Sequence, residues 1–222
     1  MSRSFGEPLT KLRAVPIHDS GEPLLDPCGL SQRVQFADKH PRFPDMQRTP
    51  RVRKRVAEML AQAADSLPDG IDLVIIEGFR PIAQQRFMYE EIKADFAKRH
   101  PEWNKATLHR VVNTLSAPPD DVCPPPHSTG GAVDVGLIRI ADGDWLDMTS
   151  PFGMDETSAP ADFYGISDQA KANRNTLFQS LENAGLTNYR GEWWHWSYGD
   201  SGWALRVGAK EALYGRLPEA AE

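Results

Sequence analysis

Apolar positions along the chain change period several times, and each change marks an element. From Arg51 to Ala64, Val52, Val56, Met59, Leu60 and Ala63 recur at helical spacing, and Pro68-Asp69-Gly70 closes that amphipathic helix. Leu73 to Ile76 is a short, largely β-branched run that reads as a buried strand. Pro81 stands where a helix begins, and Ile82, Gln85, Met88 or Tyr89, Ile92 and Phe96 carry it to Arg99. Gly131 to Ile140 alternates, with Val133, Val135 and Leu137 on one face and Ala132, Asp134, Gly136 and Ile138 on the other. Ser167 or Asp168 caps a helix through Leu177, Phe178 and Leu181, and Gly185 follows its end. Glu192 to Tyr198 reads as an aromatic core strand, and Trp203 to Val207 as one more.

Between these elements the pattern weakens. Pro16 to Pro50 is rich in Pro, Gly and Asp, so residues 1–50 are expected as an irregular segment packed on the rest, with a short strand near Val34 to Phe36. Ala117 to Pro126 holds five prolines and is a stiff, extended approach to the following strand. Helices and strands do not alternate regularly, which argues against a doubly wound parallel sheet. The expectation is an α+β fold with a mostly antiparallel central sheet flanked by helices, residues 1–222 forming a single domain. At 222 residues with 40% hydrophobic and 25% charged side chains, the chain can bury one sizeable core. A net charge of −6 gives no electrostatic footprint for nucleic acid or for an anionic membrane. No run approaches the roughly 18 apolar residues of a membrane span. The N-terminus shows no apolar signal region, and Cys28 and Cys123 cannot build a disulfide framework, so a cytoplasmic location is expected. Oligomeric state leaves no signature.

The candidate chemistry begins with Asp134, a carboxylate inside an otherwise apolar strand, where burial is costly without a cation or several donors. His127 lies seven residues earlier, and Glu192 and His195 sit in Glu-Trp-Trp-His-Trp, too apolar for a casual surface strand. Each has an ordinary structural reading alone. Together, two imidazoles and two carboxylates near the ends of core strands suit one zinc per chain. A catalytic zinc takes three protein ligands and keeps a position for water. His127, Asp134 and His195 would be the ligands, leaving Glu192 as general base. On a regular strand Glu192 and His195 point to opposite faces, so this assignment requires a bulge or turn at Trp193-Trp194. Arg80, where the buried strand meets a helix start, has two readings: an ion pair with Glu77 or Asp72, or a guanidinium that holds a developing oxyanion. His18, His40, His100 and His109 lie in no ligand spacing and read as solvated or structural. The basic run Arg48, Arg51, Arg53, Lys54 and Arg55 reads as the exposed face of its helix.

Glu-Gly-Phe-Arg-Pro (77–81), His-Ser-Thr-Gly-Gly-Ala-Val-Asp (127–134) and Glu-Trp-Trp-His-Trp-Ser-Tyr-Gly-Asp (192–200) resemble the motifs of the zinc D-alanyl-D-alanine dipeptidases. These belong to the wider D,D-peptidase and Hedgehog-like metallopeptidase group. The resemblance implies that group's fold, zinc on His127, Asp134 and His195, Glu192 as catalytic base and Arg80 as transition-state stabiliser. It implies a small D,D-dipeptide as substrate, hydrolysed to free amino acids, and places an acidic residue for the substrate ammonium near Asp155. The chain departs from the family pattern at Pro125, where a serine often precedes the first histidine by two; the Pro125 carbonyl is still an acceptor there. The rival readings are a D,D-carboxypeptidase or cell-wall peptidase acting on longer substrates, and a zinc-stabilised binding module without catalysis.

Overall fold

A computed structural model of the chain describes residues 7–40, 43–120, 122–153 and 156–219. In chain order these form α1 (Leu9–Leu12), β1 (Leu24–Leu25), β2 (Val34–Phe36), β3 (Val52–Arg53), α2 (Lys54–Asp65), β4 (Ile71–Glu77) and α3 (Ile82–Arg99). After these come α4 (Lys105–Leu115), β5 (Ala132–Arg139), α5 (Asp168–Asn183), β6 (Thr187–Asn188), β7 (His195–Ser197) and α6 (Ser201–Val207). The architecture is α+β. Its main sheet has the order β2-β4-β5-β7-β6, and β1 pairs with β3 in a separate two-stranded ribbon. The main sheet is mixed: β2 runs parallel to β4, and the other three pairings are antiparallel.

One face of this sheet carries Leu73, Ile75, Val133, Val135 and Leu137 into the main core against Val56 and Leu60 of α2 and Leu177 and Leu181 of α5. The opposite face looks toward the hairpin of α3 and α4, which has its own small core of Tyr89, Ile92, Phe96 and Val112. Strand parity would place Glu77 beside Leu73 and Ile75 in the main core. The pairing register shifts between Ile75, opposite Val135, and Glu77, opposite Asp134, so one extra residue on β4 turns Glu77 to the other face. Asp134 in turn lies opposite His195. Glu77, Asp134 and His195 therefore form one cross-strand row on the face away from the main core.

Several sequence expectations are corrected. Trp203 to Val207 is the helix α6, because Asp200 caps its start by accepting from the Trp203 N–H at 2.6 Å and Gly208 ends it at φ +68°. The aromatic strand is confined to β7, since a turn occupies the residues before it. The helix read from Arg51 begins at Lys54, and β3 pairs Arg53 with Leu24 instead. Arg53 is only 1% exposed, so it is no solvated helix face. Its guanidinium donates to the carbonyls of Thr129 and Glu22 and to the Asp19 carboxylate. The short strand expected near Val34 to Phe36 is β2, and it ties the N-terminal segment into the fold by hydrogen-bonding to β4 and carrying Val34 into the main core. The helix α4, capped by Asn104, was absent from the periodicity reading.

Candidate metal centre and its cavity

His127 sits in a single 3₁₀ turn, Pro126–Thr129, at the end of the proline-rich approach. The strand-to-helix connection after β4 fixes it from two sides. Arg80 donates its backbone N–H to the His127 carbonyl at 3.1 Å, and the ring Nδ1 lies 2.8 Å from the Gly78 carbonyl. That carbonyl only accepts, so Nδ1 carries the proton and Nε2 presents its lone pair to the cavity. Gly78 is tight: a Cβ there would lie 2.6 Å from the Arg51 carbonyl oxygen. Asp134 comes from the middle of the sheet and His195 from the first position of β7.

The turn that the Glu192/His195 spacing requires is present at Trp193-Trp194. The His195 N–H donates to the Glu192 carbonyl at 3.3 Å, closing it, and the Trp193 N–H is tied to the Ala159 carbonyl at 2.9 Å. Three atoms that could ligate a metal ion then converge. His127 Nε2 is 3.2 Å from His195 Nδ1 and 3.3 Å from Asp134 Oδ1, and His195 Nδ1 is 2.9 Å from the same oxygen. A tetrahedral zinc with bonds of about 2.0–2.1 Å has ligand-to-ligand edges of about 3.3–3.4 Å, which this triangle approximates. Two imidazole lone pairs and a carboxylate at such distances are mutually unfavourable without a cation among them, and they are zinc donors by type. Burial disfavours the charged Asp134, yet positive charge on the two imidazole rings, in the place a cation would otherwise take, holds its carboxyl well below the ordinary carboxylate range. Burial lowers the His195 pKa, favouring the neutral ring that a metal ligand must be.

The triangle opens onto a cavity of about 490 Å³, lined also by Glu192 and Arg80 on the site face and by Gln85, Tyr189 and His40 around it. That volume is within the range of small-molecule sites. For Arg80 the structure answers the pairing question. Asp72 is engaged by Arg33 at 3.5 Å, whereas Arg80 takes Glu77 in a two-point ion pair, Nε donating to Oε1 at 2.8 Å and Nη2 to Oε2. Nη1 donates to Gln85 Oε1 at 2.6 Å, and the Gln85 amide is itself anchored on the Ala117 carbonyl at 2.7 Å. Three of the five guanidinium N–H groups are thus used, and two are left for the cavity. Burial works against charge on Glu77, but Arg80 holds its carboxyl below the usual range.

His40, which by its spacing reads as solvated or structural, has its Nε2 3.9 Å from Glu77 Oε2 and lines the cavity. Its neighbours in the chain carry no spacing that could have signalled this. Gln85 did leave a signal, as a polar residue in the buried stripe of its helix. The Pro125 carbonyl is not an open acceptor, because Ser128 occupies it with both its backbone N–H at 2.9 Å and its hydroxyl at 2.7 Å. Asp155 lies outside the described residues.

Comparison with known proteins gives a consistent answer. The peptidase M15 family, described as D-Ala-D-Ala dipeptidase, matches residues 36–210. A D-alanyl-D-alanine dipeptidase of Synechocystis sp. is 31% identical over 252 residues, covering 96% of this chain and 99% of that protein. One from Enterococcus faecium is 42% identical over 71 residues, 32% of this chain and 35% of that protein. Among solved structures, VanYB in complex with D-alanine-D-alanine aligns with a TM-score of 0.46 at 16% identity, over 71% of this chain and 76% of that chain. The family match runs from the end of β2 past α6 and takes in Arg80, Glu192 and all three corners of the triangle, and the chain belongs to the D-Ala-D-Ala dipeptidase family of metallopeptidases.

Proposed function

We propose that this chain hydrolyses D-alanyl-D-alanine, or a closely related small dipeptide, to free amino acids with one zinc ion per chain. The observation that carries the reading is the His127-Asp134-His195 triangle facing a cavity that Glu192 and Arg80 also line. The triangle's residues would hold zinc, with a position left open. Zinc bound there supplies Lewis acidity, polarising a carbonyl and making water more acidic. Glu192 takes the proton from the attacking water on a carboxylate oxygen and passes it to the leaving amine. The two unused N–H groups of Arg80 donate to the oxygen on which charge develops, and the Glu77 and Gln85 contacts keep the guanidinium from turning away. Preorganisation of this kind avoids reorganising the donor during the reaction. The resemblance proposes Asp155 for the substrate ammonium.

Three antiparallel pairings and one parallel support a Hedgehog/D,D-peptidase-like reading of the sheet. No helix among the described residues is long and apolar enough to cross a membrane. The two free cysteines fit a reducing compartment, so the cytoplasm is the proposed location. The test incubates zinc-loaded protein with D-Ala-D-Ala and quantifies free D-alanine, with Glu192→Ala alongside. Wild type is expected to release D-alanine, and the variant to retain zinc while losing about 10²–10⁴-fold in turnover. Near-normal turnover by Glu192→Ala would remove its assigned role. A wild-type protein that holds one zinc and releases nothing would refute the substrate.

A further inference from the structure

Asn188 ends β6 and is 8% exposed. Its side-chain Nδ2 donates to the carbonyls of Glu192 at 3.0 Å and His195 at 3.0 Å, with a longer contact to Trp193 at 3.4 Å. None of these carbonyls depends on it. The Glu192 carbonyl also accepts from the His195 N–H at 3.3 Å and the His195 carbonyl from the Tyr189 N–H at 3.0 Å. The Trp193 carbonyl accepts from the Trp196 indole at 3.1 Å. Meanwhile the other end of the amide, Oδ1, is buried without a hydrogen-bond partner among the described residues. A buried amide that satisfies nothing otherwise orphaned, and leaves its own oxygen unpaired, is a poor choice for stability alone.

Its three acceptors share one property. They belong to the turn that lets Glu192 and His195 reach the same cavity despite an odd spacing that a regular strand would send to opposite faces. We infer that Asn188 is a positioning residue for dipeptide hydrolysis: by clamping the backbone of this turn it sets the direction of the Glu192 carboxylate and of His195 Nδ1 together. It touches neither substrate nor metal. The inference rests on the proposed function for its catalytic part, while its effect on His195 stands on geometry alone.

The test uses the full chain with Asn188→Leu, which keeps the size and branching of the side chain and removes both donor and unpaired oxygen. Asn188→Ala is the second variant, since every carbonyl it uncovers keeps another donor. The melting temperature of Asn188→Leu is expected at or above that of wild type. Zinc affinity, read by competition with a chromophoric chelator, should fall about 10–100-fold, the range typical of residues that orient metal ligands. Turnover should fall by a similar factor with KM nearly unchanged, because the base is misdirected while the pocket is intact. A merely structural residue would lower the melting temperature and the active fraction together, and that result in both variants would overturn the inference. So would zinc affinity and kcat within about twofold of wild type in a folded variant. The chelator titration needs no substrate, so a wild type inert toward D-Ala-D-Ala would refute the dipeptidase reading and still leave the Asn188 question decided.

Discussion

Glu77→Gln tests the buried ion pair between Glu77 and Arg80. Glu77 is 0% exposed and Arg80 6%, so neither charge has water to fall back on. The glutamine has the same shape, but one of its two terminal atoms becomes an NH₂ facing a guanidinium nitrogen that also only donates. One hydrogen bond is lost, a donor meets a donor, and the guanidinium charge is left buried without its counter-charge. Breaking a buried pair in this way costs about 3–5 kcal/mol. For a protein of this size each kcal/mol moves the melting temperature by about 2–4 °C, so the variant should melt about 6–20 °C lower. Urea unfolding followed by tryptophan fluorescence gives the free energy, provided the slope matches that of wild type. The sharper measurement is a cycle with Arg80→Met. Removing both charges leaves no stranded ion, so the double variant should be more stable than either single one and close to wild type. It should still be catalytically poor, because the donor proposed for the oxyanion is gone. A loss below about 1 kcal/mol for Glu77→Gln would mean a pair screened like a surface one. A double variant no more stable than the singles would show that desolvated charge is not what these residues contribute.

Three further results are expected. His127→Ala or His195→Ala should abolish the one-zinc stoichiometry measured by elemental analysis, and full retention of the metal in either would remove that residue from the triangle. Gly78→Ala would drive a Cβ into the Arg51 carbonyl and shift the Gly78 carbonyl that orients His127, so zinc affinity should drop about 10–100-fold in a chelator titration; unchanged affinity would show that the close approach is slack. Burial raises the Asp19 carboxyl, but the Gly21 N–H, the Arg53 guanidinium and the Gly215 N–H together hold it below its ordinary value of 3.8. A depressed folded pKa means that the stability contributed by Asp19 is present above the unfolded value and lost as pH falls through the folded one. Asp19→Asn should therefore unfold more easily than wild type at neutral pH, and the gap should narrow below pH 3.8; a gap independent of pH would contradict the assignment.

Much of the fold was legible because its larger elements follow their periods. The helices α2, α3 and α5 and the strands β4 and β5 announce themselves through apolar stripes or alternation, and Ser167 caps α5 by accepting from the Ala170 N–H as its sequence suggests. Shorter elements were missed or misread for physical reasons. The ribbon strands β1 and β3 have two residues each, too few to establish a period. In α6 aromatic and branched residues suggested a strand, and the caps at Asp200 and Gly208 overruled them. Arg53 looked like one more solvated charge in a basic run. Only the tertiary arrangement, which brings three carbonyls and a carboxylate around its guanidinium, shows it as an internal tie to the Thr129 end of the His127 turn.

At the candidate site the residue types were legible, and so was the turn that Glu192 and His195 require, whereas the register shift that turns Glu77 was not; the two interruptions have one cause. Counting in twos along β4 assigns Glu77 to the main core beside Ile75, and counting in twos back from His195 turns Glu192 away from the cavity. The chain breaks the count once in each place. A register shift before Glu77 moves it into line with Asp134, and a turn at Trp193-Trp194 allows Glu192 and His195 to share the cavity. Neither interruption is favoured by the local sequence, since Ile76 and the two tryptophans are good strand residues. What favours them is the cost of the alternative. In an unbroken β4 the Glu77 charge would lie among Leu73, Ile75 and Val135 with no cation in reach, and the Arg80 guanidinium would lose its partner as well. The out-of-phase carboxylates in Leu-Val-Ile-Ile-Glu and Glu-Trp-Trp-His are therefore informative in themselves: an acidic residue that strand parity sends to the wrong face marks where the strand must bulge or end.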